Sequence, residues 1–376
     1  TADAGLDTLR AGGNAIDAAV ASAFTEAVVE PAHNGVAGYG GCVVAYMAEL
    51  DQVISIDYNT RAPSAAKEDM FPIKLGEDGI SYSVPGRVHL FGVLSVGVPG
   101  VPAGLGFLLE RYGTISLSDV LRPAIRAAQD GFPLNAATSS VIARLADRLR
   151  ADFPDTAKLL LPRGSLPKPG ETLRCLELAD TLEQIATEGV DAFYMGDIAK
   201  RISEYVRDNG GILSEEDLAN YEPVEVEPLR ISYRGYEIFT PPLCSGGLTT
   251  LQMLKVLERF SISELKPSSA EMYHLLIEAM KACWRERLYK YGDPNFVKID
   301  QNSELSDHMI QKLYASVKDG LRSPKKGEVI SPEPLNCTSH ICVADSYGNV
   351  VSLTQTHGGS FGSLVCVPKT GLILGH

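Results

Sequence analysis

Residues 337–356 read CTSHICVADSYGNVVSLTQT, and this stretch decides how the C-terminal part of the chain folds. Ile341 to Asp345 and Val350 to Thr356 are predicted strands, rich in apolar and β-branched residues. Between them lies Ser346-Tyr347-Gly348, a three-residue loop of the kind that commonly ends on a left-handed glycine. The sequence therefore predicts a β-hairpin in which Asp345 pairs with Asn349.

The register of this hairpin brings two threonines together. Counting outward from the Asp345–Asn349 pair places Thr338 opposite Thr356. Facing residues of an antiparallel pair have Cβ atoms about 4.5–5.5 Å apart. The pattern alone thus predicts adjacent threonine side chains, for which a β-branched cross-strand pair is the plain interpretation.

The rest of the chain is predicted to be helical at its start and through its middle, with short strands between. A glycine-rich run at Gly35–Gly41 lacks both the Lys-Ser/Thr ending of a P-loop and the spacing of a dinucleotide-binding loop, so nucleotide binding is not indicated. The predicted elements are helices at Ala2–Leu9 and Ile16–Val28, strands at Cys42–Met47, Val53–Tyr58 and Ile231–Phe239, a mostly helical middle from Val98 to Leu288, and an exposed linker at Asp319–Pro334.

Composition excludes several classes of function. The net charge of −13 over 376 residues argues against nucleic acid or an anionic membrane surface as a partner. The sequence has no apolar run of 18 residues, and its seven cysteines include no Cys-x-x-Cys pair. We therefore expect no membrane-spanning segment, no disulfide framework, no metal and no cofactor. The cysteine usage favours the cytoplasm, but a periplasmic or secreted location stays open because a signal peptide could have been removed.

Short motifs along the whole chain resemble those of the γ-glutamyl transpeptidase family. The most specific match is Thr338-Ser339-His340, followed by Asp345, Gly348-Asn349, Thr354 and Phe361-Gly362-Ser363. Weaker motifs occur in the family order, among them Gly12 to Ala19, Gly97-Val98-Pro99-Gly100, Phe193-Tyr194-Met195-Gly196, Pro241 to Gly247 and Gly292-Asp293-Pro294.

This resemblance implies an N-terminal-nucleophile hydrolase with an α+β, four-layer αββα fold, in which two stacked, mostly antiparallel sheets lie between helices. Residues 1–337 would be the large-subunit portion, and residues 338–376 the start of the small subunit. The remainder of the small subunit is then expected to be absent from this chain. It would carry an aspartate for the substrate amine, a Ser-Ser pair and a Gly-Gly oxyanion hole.

The resemblance also implies roles for the two threonines. Self-cleavage of the Cys337–Thr338 bond would make Thr338 an N-terminal nucleophile, and Thr356 would position its hydroxyl. An N-terminal threonine carries its own base, because its α-amine has a pKa of roughly 7.7–8.0. His340 belongs to the motif and is interpreted as structural.

Two departures from the family affect the expected substrate. Asn59 occupies the position of an arginine that binds the substrate α-carboxylate, with Arg61 two places later. Gly358 replaces an asparagine that contacts the γ-glutamyl group, with His357 beside it. The expected partners are a small amide substrate and the chain's own small subunit.

Three hypotheses follow. The first is cleavage or transfer of γ-glutamyl groups from glutathione-like donors. The second is a cephalosporin-acylase-like or oxamate-amidase-like activity on a non-glutamyl amide. The third is a non-catalytic binding relative that is never processed.

Overall fold

A computed structural model of the chain describes residues 1–76, 82–322 and 336–376. These residues form two compact units. Unit 1 contains residues 1–52, 56–76, 82–224 and 336–376, and unit 2 contains residues 53–55 and 225–322. Both units contain helices and antiparallel strands, which confirms the α+β class. Within the described ranges, no helix combines the length and the apolar character that crossing a bilayer requires.

The elements are numbered in chain order. The helices are α1 Ala2–Arg10, α2 Ala15–Val29, α3 Val101–Tyr112, α4 Leu117–Asp130, α5 Ala136–Asp152, α6 Pro154–Leu160, α7 Leu176–Glu188, α8 Asp191–Met195, α9 Asp197–Asp208, α10 Glu215–Ala219, α11 Gly247–Leu257, α12 Ala270–Lys290, α13 Gln301–Glu304 and α14 Asp307–Arg322. The strands are β1 Gly40–Met47, β2 Gln52–Asp57, β3 Lys74–Leu75, β4 Tyr82–Ser83, β5 Phe132–Pro133, β6 Thr172–Leu173, β7 Val224–Val226, β8 Leu229–Tyr233, β9 Tyr236–Thr240, β10 Asn336–Ala344, β11 Val350–Gly359, β12 Cys366–Val367 and β13 Leu372–Ile373.

A five-stranded sheet of order β10-β11-β1-β2-β7 carries the predicted hairpin. The amide of Asp345 donates to the carbonyl oxygen of Asn349 at 3.1 Å, and Gly348 has a φ of +92°. From Ser339 to Ala344 the residues of β10 pair with those of β11 in the predicted register. This confirms the hairpin and its three-residue loop.

Helix α2 packs against one face of this sheet. Its N-cap, Asn14, forms a capping box with Asp17, which satisfies amide groups that a helix start otherwise leaves unpaired. The Asp345 carboxylate accepts a hydrogen bond from the Ala15 amide at 2.8 Å, and so fixes the start of the helix to the hairpin loop. At the other end of the hairpin, Gln355 Nε2 donates to the carbonyl oxygen of Ala23 at 3.0 Å. The helix therefore lies along the hairpin and is fastened to it at both ends.

Two expectations about the second half of the chain were wrong. Ile231–Phe239 is not one strand, because Arg234 and Gly235 both have positive φ and turn β8 back onto β9. Asp319 to Arg322 are not linker, because they form the last turn of α14. The rest of the predicted linker lies outside the described residues. In unit 2, helices α11, α12 and α14 enclose an apolar core that includes Leu275, Ile310 and Val317.

Candidate active site

The threonine pair lies at the open end of the hairpin, on the sheet face that α2 does not cover. Burial alternates along β11, so that Gln355 and His357 are buried while Thr354 and Thr356 are partly exposed. Thr338 is exposed on the same face, and its Oγ1 lies 3.3 Å from Thr356 Oγ1. The predicted juxtaposition is therefore present.

Both hydroxyls contact the carbonyl oxygen of Cys337. Thr338 Oγ1 lies 2.6 Å from it, and Thr356 Oγ1 donates to it at 2.5 Å. The Gly358 amide donates to Thr356 Oγ1 at 3.0 Å, which orients that hydroxyl. A β-bulge between Cys337 and Ser339 places Thr338 at an irregularity of the strand. The arrangement places two hydroxyl groups on one peptide carbonyl.

The side chain of Cys337 is buried next to this arrangement. Its residue is 3% exposed, and burial raises the pKa of the thiol to about 12, although hydrogen bonds with Thr356 and the His357 backbone act in the other direction. The thiol is therefore protonated at neutral pH and is not a competing nucleophile.

Asn59 lies in the same row across the sheet as the two threonines. Gly40 faces Thr356, and Gly41 exchanges both backbone hydrogen bonds with Tyr58, so Asn59 is next to Gly40. Three strand spacings separate Thr338 from Asn59, which is about 14 Å between Cα positions. The Asn59 side-chain amide donates to Asp57 Oδ1 at 2.7 Å. The neighbouring group is thus a carboxylate, which repels a substrate carboxylate.

Arg61 is held by groups of the protein itself. Its Nη2 donates to the carbonyl oxygen of Glu222 at 2.8 Å, and its guanidinium lies 5.4 Å from the centre of the Tyr221 ring. The Tyr221 hydroxyl in turn donates to the carbonyl oxygen of Asn59 at 2.9 Å. Arg61 is therefore linked to the Asn59 position through Tyr221. Its guanidinium group also has further N–H donors besides the one that donates to the Glu222 carbonyl oxygen.

His357 is placed differently from the sequence-based expectation. It is 1% exposed, and its side chain faces away from Thr356, toward Asn34 and Gly35. A Cβ at Gly35 would lie 2.2 Å from its Cε1 and Nε2 atoms, so the imidazole packs directly on the glycine backbone. Burial lowers the pKa of His357 to about 3, helped by the nearby His376 and opposed by a hydrogen bond to the Asn34 backbone. The position does not support contact with substrate, and this corrects the expectation.

Gly358 contributes through its backbone. Its φ is +93°, which disfavours a side chain at this position, and its amide is the donor to Thr356. Sequence reasoning assigned Gly358 only to the substrate pocket and missed this contact. In the sequence, a glycine two places after Thr356 only weakly indicates such a contact, because the residue type does not specify which group its amide will bind.

His340 joins a polar row on the same face. Its Nδ1 lies 2.7 Å from Thr354 Oγ1, and its Nε2 lies 3.2 Å from Cys342 Sγ and 3.3 Å from Ser352 Oγ. These partners are side chains of β10 and β11, which fits the structural role expected from the sequence. Among the residues that the structure describes, no cluster of three His, Cys, Asp or Glu side chains could hold a metal ion.

Comparison with known proteins identifies the family. The profile described as gamma-glutamyltranspeptidase matches residues 1–376, the whole chain. The chain belongs to the γ-glutamyltranspeptidase family. Relatives in this family include the Acylase ACY 1 proenzyme of Pseudomonas sp. (strain SE83), 39% identical over 375 residues, and the Glutathione hydrolase proenzyme of Bacillus subtilis (strain 168), 36% identical over 389 residues. Each alignment covers 98% of this chain but only 66% and 65% of the respective relative.

Solved structures of γ-glutamyltranspeptidase-family proteins share the fold. A cephalosporin acylase from Bacillus halodurans superposes with a TM-score of 0.84 at 30% identity, and the superposition covers 99% of this chain and 67% of the acylase chain. The γ-glutamyltranspeptidase of Helicobacter pylori gives a TM-score of 0.77 at 30% identity, and the superposition covers 86% of this chain and 94% of the Helicobacter pylori chain. These likenesses confirm the predicted N-terminal-nucleophile hydrolase fold.

Proposed function

We propose that this chain carries the nucleophile of a self-cleaving amide hydrolase or acyltransferase, with Thr338 as the attacking residue. The observation that carries this proposal is the contact of the Thr338 and Thr356 hydroxyls with the Cys337 carbonyl oxygen. Two relatives named as proenzymes are consistent with it. Residues 1–337 would then belong to the large subunit, and residues 338–376 would begin the small one.

The first reaction is cleavage of the chain. Thr338 Oγ1 attacks the carbonyl carbon of Cys337 and its proton passes to the departing nitrogen, so a C–O bond forms and the C–N peptide bond breaks. Water then hydrolyses the resulting ester, leaving a carboxylate on Cys337 and a free α-amine on Thr338. Thr356 donates to the oxygen that becomes negative during the attack, which is the position of an oxyanion-stabilising group.

The second reaction is turnover. A threonine hydroxyl is a weak nucleophile at its ordinary pKa, and an adjacent base activates it. The α-amine that cleavage releases has a pKa near neutral pH, so it can accept the hydroxyl proton. Thr338 Oγ1 then attacks the carbonyl carbon of a small amide, the C–N bond breaks, and the amine leaves with the proton that the α-amine had accepted. Water or an acceptor amine then attacks the resulting ester, takes the acyl group and returns the proton to Thr338 Oγ1.

Gel electrophoresis of the purified protein during incubation tests the proposal. We expect the wild-type protein to separate into two fragments, with Thr338 at the N-terminus of the smaller one by mass spectrometry. Thr338→Ala should stay uncut and inactive, while Thr338→Ser should cleave slowly. Thr354→Ala is the matched control, because Thr354 lies on the same face but contacts His340 instead of Cys337. An active uncut protein, or a different new N-terminus, would refute the proposal. A wild-type protein that stays uncut and inactive would favour the unprocessed relative.

The acyl donor that we favour is a γ-glutamyl group, as in glutathione. The support is the family membership and Arg61, whose guanidinium is linked to the Asn59 position through Tyr221. A charge-assisted hydrogen bond from a guanidinium is the usual means of holding a carboxylate.

A non-glutamyl amide is the second candidate. One specific observation favours it, because Asn59 is uncharged and donates to the Asp57 carboxylate. Comparison of kcat/KM for a γ-glutamyl anilide with that for simple acyl amides separates the two candidates. Higher kcat/KM on the acyl amides would establish the second.

A further inference from the structure

A buried polar cluster lies directly behind the threonine pair. Ser339 and Gln355 face one another across β10 and β11, and both are buried on the side covered by α2. Gln355 Nε2 donates to the carbonyl oxygen of Ala23. Glu26 lies one helical turn beyond Ala23, so its side chain reaches the same part of the sheet. The Ser339 side chain is also close enough to Glu26 to interact with its carboxyl group, and this hydrogen-bonding interaction lowers the pKa of Glu26.

Two oxygen atoms of this cluster lack a donor. Glu26 Oε2 and Gln355 Oε1 are both buried, and neither has a hydrogen-bond partner among the described residues. The Gln355 orientation follows from its contact with the Ala23 carbonyl, which only the amide nitrogen can make. Both side chains lie where α2 packs against β10 and β11, and a buried acceptor without a donor is unfavourable. One added proton shared between the two oxygens would satisfy both. A protonated carboxyl group supplies such a proton, because it has an O–H donor and keeps an acceptor.

We propose that Glu26 is a positioning residue for Thr338: as a carboxylic acid it accepts from Ser339 and donates to Gln355, and it thereby ties α2 to both strands behind the reactive threonines. The proposal rests on the proposed function. Thr338 lies at the β-bulge, and Ser339 is the first residue of β10 beyond it that is back in register. Fixing Ser339 therefore fixes the direction from which Thr338 approaches the Cys337 carbonyl.

The surroundings of Glu26 favour the acid form. Burial raises the pKa of Glu26, the Ser339 side chain lowers it, Glu30 raises it and His33 lowers it, with a raised pKa as the net result. The carboxyl group thus stays neutral to a higher pH than an exposed glutamate. As the pH rises through this pKa, the group ionises and the donor to Gln355 is lost.

Substitution by glutamine tests this role, because Glu26→Gln preserves the shape of the acid, can donate to Gln355 and accept from Ser339, and cannot ionise. We expect Glu26→Gln to self-cleave at the wild-type rate at acid pH and faster than wild type as the pH rises. Glu26→Ala should cleave about 3- to 10-fold more slowly, since it loses the hydrogen bonds. Glu110→Gln on α3, which replaces an exposed glutamate, should match wild type at every pH. Glu26→Gln that is as slow as Glu26→Ala, or a ratio to wild type that does not change with pH, would overturn the proposal.

A second measurement does not depend on cleavage. In the Thr338→Ala background, thermal unfolding of the protein that retains Glu26 is compared with that of its Glu26→Gln variant over a range of pH. A carboxyl group with a folded pKa above its unfolded value loses stability as the pH rises, so the Tm advantage of Glu26→Gln should increase with pH. If the wild-type protein does not cleave, the proposed function fails while this arm still tests the acid form of Glu26. A pH-independent Tm difference would refute that form, and a pH-dependent Tm without a pH-dependent cleavage ratio would refute the positioning role.

Discussion

The Thr356 hydroxyl takes part in three hydrogen bonds around the Cys337–Thr338 bond. It donates to the Cys337 carbonyl oxygen, accepts from the Gly358 amide, and lies within hydrogen-bond distance of Thr338 Oγ1. Thr356→Ala removes all three contacts while leaving the strand pairing in place. We expect the alanine variant to self-cleave much more slowly than wild type.

The magnitude follows from what changes during the reaction. An ordinary hydrogen bond contributes about 0.5–1.5 kcal/mol in net terms, which is roughly a 2- to 13-fold effect. Removing a donor from an oxyanion costs about 2.7–4 kcal/mol in enzymes where the bond strengthens in the transition state. Thr356 already donates to the unreacted carbonyl, so only part of its interaction is specific to the transition state. We therefore expect self-cleavage to slow by about 10- to 100-fold.

The assay is the rate of fragment formation on gels after rapid purification, with intact mass as a check on the cleavage site. Thr356→Ser keeps the hydroxyl and should recover most of the rate. Thr354→Ala, two places along the same strand face, should cleave close to the wild-type rate because it contacts His340. Wild-type cleavage in Thr356→Ala, or equal slowing in Thr354→Ala, would refute the role assigned to the hydroxyl.

Three further predictions concern substrate binding, stability and self-cleavage. If Arg61 binds a γ-glutamyl carboxylate, Arg61→Ala should lower kcat/KM for a γ-glutamyl anilide by about 10-fold or more, since charged hydrogen bonds contribute about 1.5–3 kcal/mol. If Arg61→Ala instead has no effect and Asn59→Arg raises kcat/KM for the anilide, the natural substrate is a non-glutamyl amide. Burial tends to raise the pKa of Asp345, but hydrogen bonds from Asn349, the Ala15 amide and the Tyr347 amide lower it overall. The stabilisation that the Asp345 carboxylate provides should therefore be lost as the pH falls through this lowered pKa. In urea unfolding, Asp345→Ala should lower the free energy of unfolding by about 1.5–3 kcal/mol at neutral pH but by little in strong acid. Gly358→Ala should slow self-cleavage, because the positive φ is unfavourable for alanine and the amide that orients Thr356 would shift; cleavage at the wild-type rate would contradict this.

The sequence predicted the reactive hairpin well because local rules determine it. A three-residue loop with a left-handed glycine allows few registers, and that register alone placed Thr338 beside Thr356. The β-bulge at Thr338 was not predicted. A bulge depends on how the strand end meets its neighbours, and no residue type specifies it.

Other differences have equally local causes. Arg234-Gly235 forms a two-residue turn with positive φ at both positions, but arginine is uncommon at the first of them, so the turn signal was weak. The misplacement of His357 was avoidable, because successive residues of a strand point to opposite faces and His357 follows Thr356 directly. Glu26 gave a usable signal as well, since it is a glutamate in a helix that is otherwise mostly alanine and valine. What that carboxyl group meets could only be known from the tertiary contacts.

The pairing of β11 with β1 has a consequence for the thermodynamics of the processed protein. Seven residue pairs, from Gly40–Thr356 to Tyr46–Val350, join these strands. Under the proposed cleavage at Cys337–Thr338, β1 and β11 would belong to different polypeptides, so that one sheet would be shared by two chains. Folding is then bimolecular, and the midpoint of unfolding depends on the protein concentration, as it does for an obligate dimer. The uncut Thr338→Ala protein keeps a single-chain, concentration-independent transition.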